Sequence, residues 1–252
     1  MTAYYSGLPS LDCHAHVAPD VTQSQLATLG DSHVFAVTRS LSEAAEVADR
    51  TDPILTWGVG VHPGVAASRS AYDPDIFRQV LPQFALVGEI GLDKRGARAE
   101  QERILSDVLD ACTGRPVFIS IHSTGRTGQV VDLTERFPHP GLILHWFLGT
   151  PDEVRRAVAV GAYFSVNNAM NDELLVAMPR HRVLPETDFP ARQPRAKLPG
   201  ETKPLEKRLA RIWHASDDEV RHQLWVNLKQ LAIASGAIDT VSDSLADILL
   251  AV

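Results

Sequence analysis

The chain is poor in the residue that staples small secreted domains: of 252 residues, two are cysteine, Cys13 and Cys112. Two thiols make no disulfide framework, so a reduced, cytosolic (cytoplasmic) setting is expected. No window approaches the roughly 18 consecutive apolar residues that span a membrane, so no membrane partner is expected. The opening MTAYYSGLPSLDCHAH has no basic region ahead of an apolar run, and a signal peptide is not expected. Positive charge is also short. Lys and Arg number 24 against 31 Asp and Glu, a net charge of -7, which argues against gripping nucleic acid by bulk electrostatics. A local basic patch remains open, as does a site where metal ions supply the positive charge.

What is present is ordinary for a folded protein with a real core: 44% hydrophobic and 22% charged residues. The length suits one α/β barrel, and residues 1–252 are expected to form a single barrel domain. Eight β-type runs occupy 9–16, 33–39, 54–62, 85–92, 116–122, 142–147, 162–167 and 182–188. Most are continuously apolar, as parallel strands covered on both faces are. Helical stretches separate most of them. In TPDEVRRAVAVG, Thr150 is placed to cap, Pro151 suits the first turn, Glu153 completes a capping box and Gly161 ends the helix. This alternation predicts a (β/α)8 TIM barrel, with an open doubly wound sheet as the alternative. The four prolines of FPARQPRAKLPGETKP (189–204) read as a long loop, and the chain beyond it as extra C-terminal helices packed on the outside.

Ligand-type residues fall where the runs end. His14 and His16 alternate on the first run. Glu89 closes the fourth, His122 the fifth, His145 the sixth and Asp188 the eighth, while His62 ends the third. C-terminal strand ends form one rim of a barrel, where the sites of such barrels lie. Five of the ten histidines are on this rim. The others, His33, His139, His181, His214 and His222, are expected to be solvated or capping. Four histidines and two carboxylates exceed what one ion needs. A glutamate can bridge two cations with two histidines on each side, the two-metal arrangement that cleaves phosphate esters and some amides with water as nucleophile.

These motifs together resemble the TatD family of metal-dependent deoxyribonucleases, among the amidohydrolase-like barrels: DCHAH (12–16), GVHP (60–63), GEIGLD (88–93) followed by Gln101, IHS (121–123), HWF (145–147) and ETDFP (186–190). WVNLKQLA (225–232) is similar to the family's closing helix. The resemblance implies that His14, His16 and Asp188 hold one divalent ion, that Glu89 bridges, and that His122 and His145 hold a second. It implies His62 beside the substrate phosphate and Asp188 orienting or deprotonating the attacking water. The ions themselves are open among Mg, Mn and Zn. Asp12 is expected behind the ligands, fixing a histidine tautomer, and Cys13 to face away from His14 as a small buried residue.

Three departures bear on substrate. Lys94 and Arg95 stand where the family usually has a tyrosine after GLD. Arg126 comes three positions after HS, where an arginine usually follows directly. The segment after Asp188 is basic, with Arg192, Arg195, Lys197, Lys203, Lys207, Arg208 and Arg211 against Glu201 and Glu206. Arg126, Arg192, Arg195 and Lys197 are the candidate substrate-binding residues, as a guide for a phosphate backbone; a solvated face is the other reading of the run. HWF, FSVNNAM (164–170) and MPRHRVLPETDFP (178–190) look most like the TatD-like subunits of Qat-type anti-phage defence clusters, which implies partner subunits. The expected activity is trimming of single-stranded DNA ends. The alternatives are a deacylase-like amide or ester hydrolase and a non-catalytic barrel subunit of a defence complex.

Overall fold

Each apolar run becomes one strand: β1 Ser10–Ala15, β2 Ser32–Val37, β3 Leu55–Val59, β4 Leu86–Gly91, β5 Phe118–His122, β6 Leu142–His145, β7 Tyr163–Val166 and β8 Val183–Pro185. The structure, a computed structural model, describes residues 7–191 and 196–252. Its strands pair in chain order in one eight-stranded sheet, every pair parallel. The sheet curls so that β1 meets the chain leaving β8: Asp188 N donates to His14 O at 2.9 Å and His16 N to Phe189 O at 2.8 Å. The open-sheet alternative is thereby set aside. These two bonds also seat Asp188 directly against the His14–His16 pair.

Helices α1 Gln23–Leu26, α2 Leu41–Val47, α3 Ala66–Ser70, α4 Pro74–Val80, α5 Arg98–Ala111, α6 Thr127–Arg136, α7 Pro151–Ala159 and α8 Asp172–Ala177 connect the strands. The α7 start is the capping box read from sequence: Thr150 Oγ1 accepts from Glu153 N at 3.3 Å, and Glu153 Oε2 accepts from Thr150 N at 2.6 Å. Past its end, Gly161 takes φ +87, open to a residue without a Cβ.

The C-terminal helices are α9 Lys203–Trp213, α10 Asp217–Ser235 and α11 Asp243–Ala251; α9 buries Leu205 and Leu209 in the cluster beneath the outer helices, as outside packing requires, but for α10 that expectation is corrected. Trp225, Leu228, Leu231 and Ala232 of α10 share one apolar cluster with Leu11, Phe35, Leu86, Phe118, Ile143, Tyr163 and Leu184. Those strand residues alternate with the set that packs under the surrounding helices, Val34, Val87, Ile119 and Leu142 among them, so they fill the barrel. Helix α10 therefore plugs the N-terminal end. Its apolar residues recur at helical spacing, one stripe facing the strands. Trp225 Nε1 donates to Pro9 O at 2.8 Å, and Asn227 Nδ2 to Arg180 O and Val183 O at 2.9 and 2.7 Å. The loop expected to run to 204 gives way to α9 at Lys203, so Lys207, Arg208 and Arg211 are helical; Arg208 is paired with Asp172 at 2.6 Å.

Two histidines depart from the solvated expectation. His33 lies inside β2, buried, with Nε2 2.9 Å from Thr56 Oγ1. His139 is buried too, its Nδ1 accepting from Gly141 N and its Nε2 donating to Arg115 O, both at 3.0 Å. Both positions are polar anchors within packed backbone. Among the described residues no helix is long and apolar enough to cross a membrane.

Candidate metal centre

The C-terminal rim gathers His14, His16, His62, Glu89, His122, His145 and Asp188 from six strand ends. Strands β3 and β8 stop three residues short of His62 and Asp188, which reach the rim on the loops that follow. Glu89 stands in the middle. Its Oε1 faces His122 Nδ1 at 2.5 Å and His145 Nε2 at 3.9 Å. Its Oε2 faces His16 Nε2 at 3.1 Å, His62 Nε2 at 3.4 Å and His14 Nε2 at 3.8 Å. Asp188 Oδ1 lies 3.9 Å from His14 and His16 and 3.8 Å from His145. Three triads have donor atoms close enough for one cation: His14, His16 and Glu89; Glu89, His122 and His145; and His14, His145 and Asp188.

The donor set fits divalent ions on a second count. His14 Nε2, Glu89 Oε2 and His122 Nδ1 are buried with no hydrogen bond, although they face one another across the centre. A buried polar atom without a partner costs about 1–3 kcal/mol, a cost that a cation coordinated by this cluster would remove. The outward nitrogens of three of the histidines, by contrast, are held, while His16 Nδ1 is buried without a hydrogen bond. His14 Nδ1 is 2.7 Å from Ser120 Oγ, His145 Nδ1 donates to Glu186 Oε2 at 2.7 Å, and His122 Nε2 donates to Asp93 Oδ2 at 2.9 Å. A proton fixed on each outer nitrogen leaves the inner lone pair for a cation.

The electrostatics follow from burial opposed by charge. Burial, reinforced by His145, holds His14 well below the ordinary imidazole value. Burial also depresses His145 and His122, but the carboxylates outweigh it: Glu186 and Asp188 bring His145 up to about 10, and Glu89 and Asp93 bring His122 up to about 9. Burial raises Glu89, yet His122 and His62 hold it well below the usual carboxylate range. Without cations, protons on two histidines neutralise the carboxylates, and a cation binding there displaces them. Burial lifts Asp188 to about 6 against the pull of His145. His62 falls to about 4, from burial first, and its Nδ1 accepts from Gly64 N at 3.0 Å. It is a neutral imidazole whose Nε2–H points into the centre.

Above the ligands lies a cavity of about 380 Å³, lined by His16, His62, Glu89, His122, His145 and Asp188 with Arg39, Arg95, Thr124, Trp146, Pro190 and Ala191. The arginines are a correction. Arg126 does not line it: Gly125 turns the chain at φ +67, Arg126 precedes α6, and its Nε is 3.5 Å from Asp93 O. Arg95 enters instead, its Nε and Nη2 donating to the two Asp93 oxygens at 2.9 and 2.7 Å. Gln101 pins that loop by accepting from Asp93 N and donating to Arg95 O. Gly64 makes room for it, since a Cβ there would stand 2.3 Å from Arg95 Nη2. Lys197 is exposed and is not among the lining residues, its N bonded to Glu201 Oε2. Arg192 and Arg195 lie outside the described residues.

Asp12 is the other correction. Its Oδ1 accepts from His14 N and Thr187 N, and its Oδ2 from Thr187 Oγ1 and Gly200 N. It fastens the backbone around Asp188 and touches no imidazole. The cause is a register shift between Asp12 and Ala15 in β1, which breaks the strict alternation. By the same shift Cys13 packs inside the barrel with Phe35 and Leu86, its thiol driven well above the usual value by burial. Sequence reasoning also missed Arg39, Asp93, Ser120 and Glu186 at the centre. Arg39 closes the second run, so counting cations as well as ligands at strand ends would have found it.

The family of TatD-related DNases matches residues 11–232. The 3'-5' ssDNA/RNA exonuclease TatD of Edwardsiella piscicida is 31% identical over 190 residues, 67% of this chain and 71% of that protein. The protein of the same name from Cronobacter turicensis is 29% identical over 169 residues, 61% of this chain, and the match spans 63% of that relative's length. In fold, the crystal structure of a TatD homologue from Escherichia coli K12 superposes with a TM-score of 0.73 at 19% identity, covering 87% of this chain and 97% of that one. With the match running from β1 nearly to the end of α10, this chain belongs to the TatD-related DNase family.

Proposed function

We propose that this chain is a two-metal phosphodiesterase that trims single-stranded DNA from its ends. The observation that carries the reading is the division of Glu89: one oxygen faces His122 and His145, the other His14 and His16. In this reading His14, His16 and Asp188 would hold one ion and His122 and His145 the other, with Glu89 contributing to both. Bound divalent ions supply Lewis acidity to phosphoryl oxygens and lower the pKa of water. Asp188, whose Oδ1 lies 3.9 Å from His14 and His16, is placed to accept the proton of the attacking water. His62, neutral with its Nε2–H turned inward, donates to a phosphoryl oxygen. Arg39 and Arg95, lining the cavity, hold the phosphodiester's charge. A concavity of about 380 Å³ favours a strand end over a continuous duplex.

The relatives named ssDNA/RNA exonucleases support a nucleic-acid substrate and leave RNA beside DNA as a substrate to assay. The two arginines favour phosphate over the amide or ester of a deacylase, as does Glu89 where many amidase relatives use a lysine. Purified protein with Mg2+, Mn2+ or Zn2+ is expected to shorten end-labelled oligonucleotides, and Glu89→Ala to abolish this while keeping the fold. Equal turnover by that variant ends the proposal. The likeness of HWF, FSVNNAM and MPRHRVLPETDFP to the defence-cluster branch supports action beside partner subunits. Recovery of tagged protein from its host with no co-purifying partner would count against that. Two buried free cysteines support a reducing, cytosolic compartment.

A further inference from the structure

Three bulky residues in succession, His145, Trp146 and Phe147, part into three environments. His145 Nε2 faces Glu89. Phe147 is fully buried beside Phe164, ring centroids 5.6 Å apart. Trp146 lines the cavity over the ligands. In a regular strand the first and third would share a face. The chain separates them by placing Trp146 at φ +38, a left-handed conformation that bulky residues seldom adopt and that clusters at ligand sites.

The other tryptophans have structural duties. Trp57 Nε1 donates to Asp52 and Trp225 Nε1 to Pro9 O, each at 2.8 Å, and Trp213 carries the Arg180 guanidinium 5.0 Å over its ring. Trp146 makes one aromatic contact among the described residues, edge-on to His145 at 6.5 Å. Its indole is only partly buried against the core, and the residue lines the cavity that a substrate would enter.

We propose that Trp146 is a stacking platform for the base of the nucleotide at the end being cut, and so makes the enzyme specific for base-bearing strands. This rests on the nuclease reading above. A planar indole stacks on all four bases because each has a π-face, so the platform demands a base without selecting a sequence. Arg39 and Arg95 line the same cavity: one concavity offers cations to the backbone and an aromatic face to the base. A lactone, an amide or the phosphate ester of a small alcohol would leave that face unused.

The test uses single-stranded oligonucleotides whose terminal residues, at both ends, carry either a base or an abasic tetrahydrofuran. They are given to wild type, W146F and W146A, with bound metal measured for each protein. Stacking of this kind is worth about tenfold or more in kcat/KM. W146A is expected to lose that factor on base-bearing ends, W146F to retain most of the activity, and the ratio of base-bearing to abasic turnover to fall about tenfold in W146A. If W146A does not fold, W146L, apolar but without an aromatic face, carries the same comparison. A non-aromatic variant that slows both substrates by one factor overturns the proposal and assigns Trp146 to holding His145. Wild type that cuts neither substrate overturns the nuclease reading itself, a result no comparison among variants can mimic.

Discussion

Replacing Glu186 by glutamine tests how the centre is held. Glu186 is buried, and its carboxylate accepts from His145 Nδ1 at 2.7 Å, from Asn167 Nδ2 at 2.8 Å and from Ser165 Oγ. Asn167 is not free to turn its amide over, because its Oδ1 accepts from Ala169 N at 3.0 Å. A glutamine keeps one carbonyl oxygen and brings an NH2 donor. In either orientation one donor, on His145 or on Asn167, meets another donor. With the oxygen toward Asn167, His145 must change tautomer and put its proton on Nε2, the atom that faces Glu89. With the oxygen toward His145, a charge-assisted bond worth about 1.5–3 kcal/mol becomes a neutral one worth about 1, and Asn167 is left unpaired. Both routes weaken His145 as a ligand. Divalent-metal affinity is expected to fall roughly ten- to hundredfold, the usual range for losing a group that orients a ligand histidine. Calorimetric titration of Mn2+ or Zn2+ into metal-free protein measures this, with a thermal melt as the check on folding. A folded E186Q that binds metal as tightly as wild type refutes the orienting role.

Three further outcomes follow from single residues. Trp225→Ala removes the largest buried side chain of the plug and is expected to destabilise the fold by about 3–5 kcal/mol, read from the urea midpoint; a change under about 1 kcal/mol would mean that α10 does not fill the barrel. His33 is held neutral by burial, its pKa lowered from 6.5 to about 4, so the unfolded chain binds the extra proton between those values. The associated stability, about 3 kcal/mol, is fully present above pH 6.5 and lost as pH falls to about 4; His33→Gln is expected to flatten the acid limb of stability against pH by that amount, and an unchanged limb contradicts it. Gly64→Ala puts a Cβ 2.3 Å from Arg95 Nη2 and is expected to raise KM for oligonucleotides several-fold with bound metal unchanged; an unaltered KM would remove Arg95 from substrate binding.

Much of this was legible in the sequence, for reasons that also mark where legibility stopped. Strands buried on both faces are continuously apolar, so eight runs gave eight strands and their C-terminal ends gave the rim. Candidate ligands at strand ends could be read as one group because a barrel sends all such ends to one side. Which turn past a strand end carries a long side chain back into the cavity could not. Arg126 and Arg95 differ by which turn delivers a guanidinium to the cavity, and that depends on Gly125, Asp93 and Gln101 acting through space. Asp12 misled for a related reason: alternation assumes an unbroken register, and β1 shifts inside the very motif that suggested the site. The apolar stripe of α10 announced a helix with a face to bury, but not which surface of the barrel would receive it.

That last ambiguity bears on function. A barrel interior needs filling, and an open N-terminal end would leave Leu11, Phe35 and Phe118 wet. Helix α10 covers them, so the end away from the metal centre is closed by packing. Substrate then has one approach, through the rim where Arg39, Arg95 and Trp146 stand over the ligands. A strand entering there runs onto Glu89 and the buried layer beneath it, with Ser120 and Glu186 fully enclosed. Chain cannot pass through the cylinder, only reach its floor and leave. Trimming from an end, the activity proposed above, fits such a dead-ended site, and the closed floor links the packing of a C-terminal helix to the candidate metal centre at the opposite face.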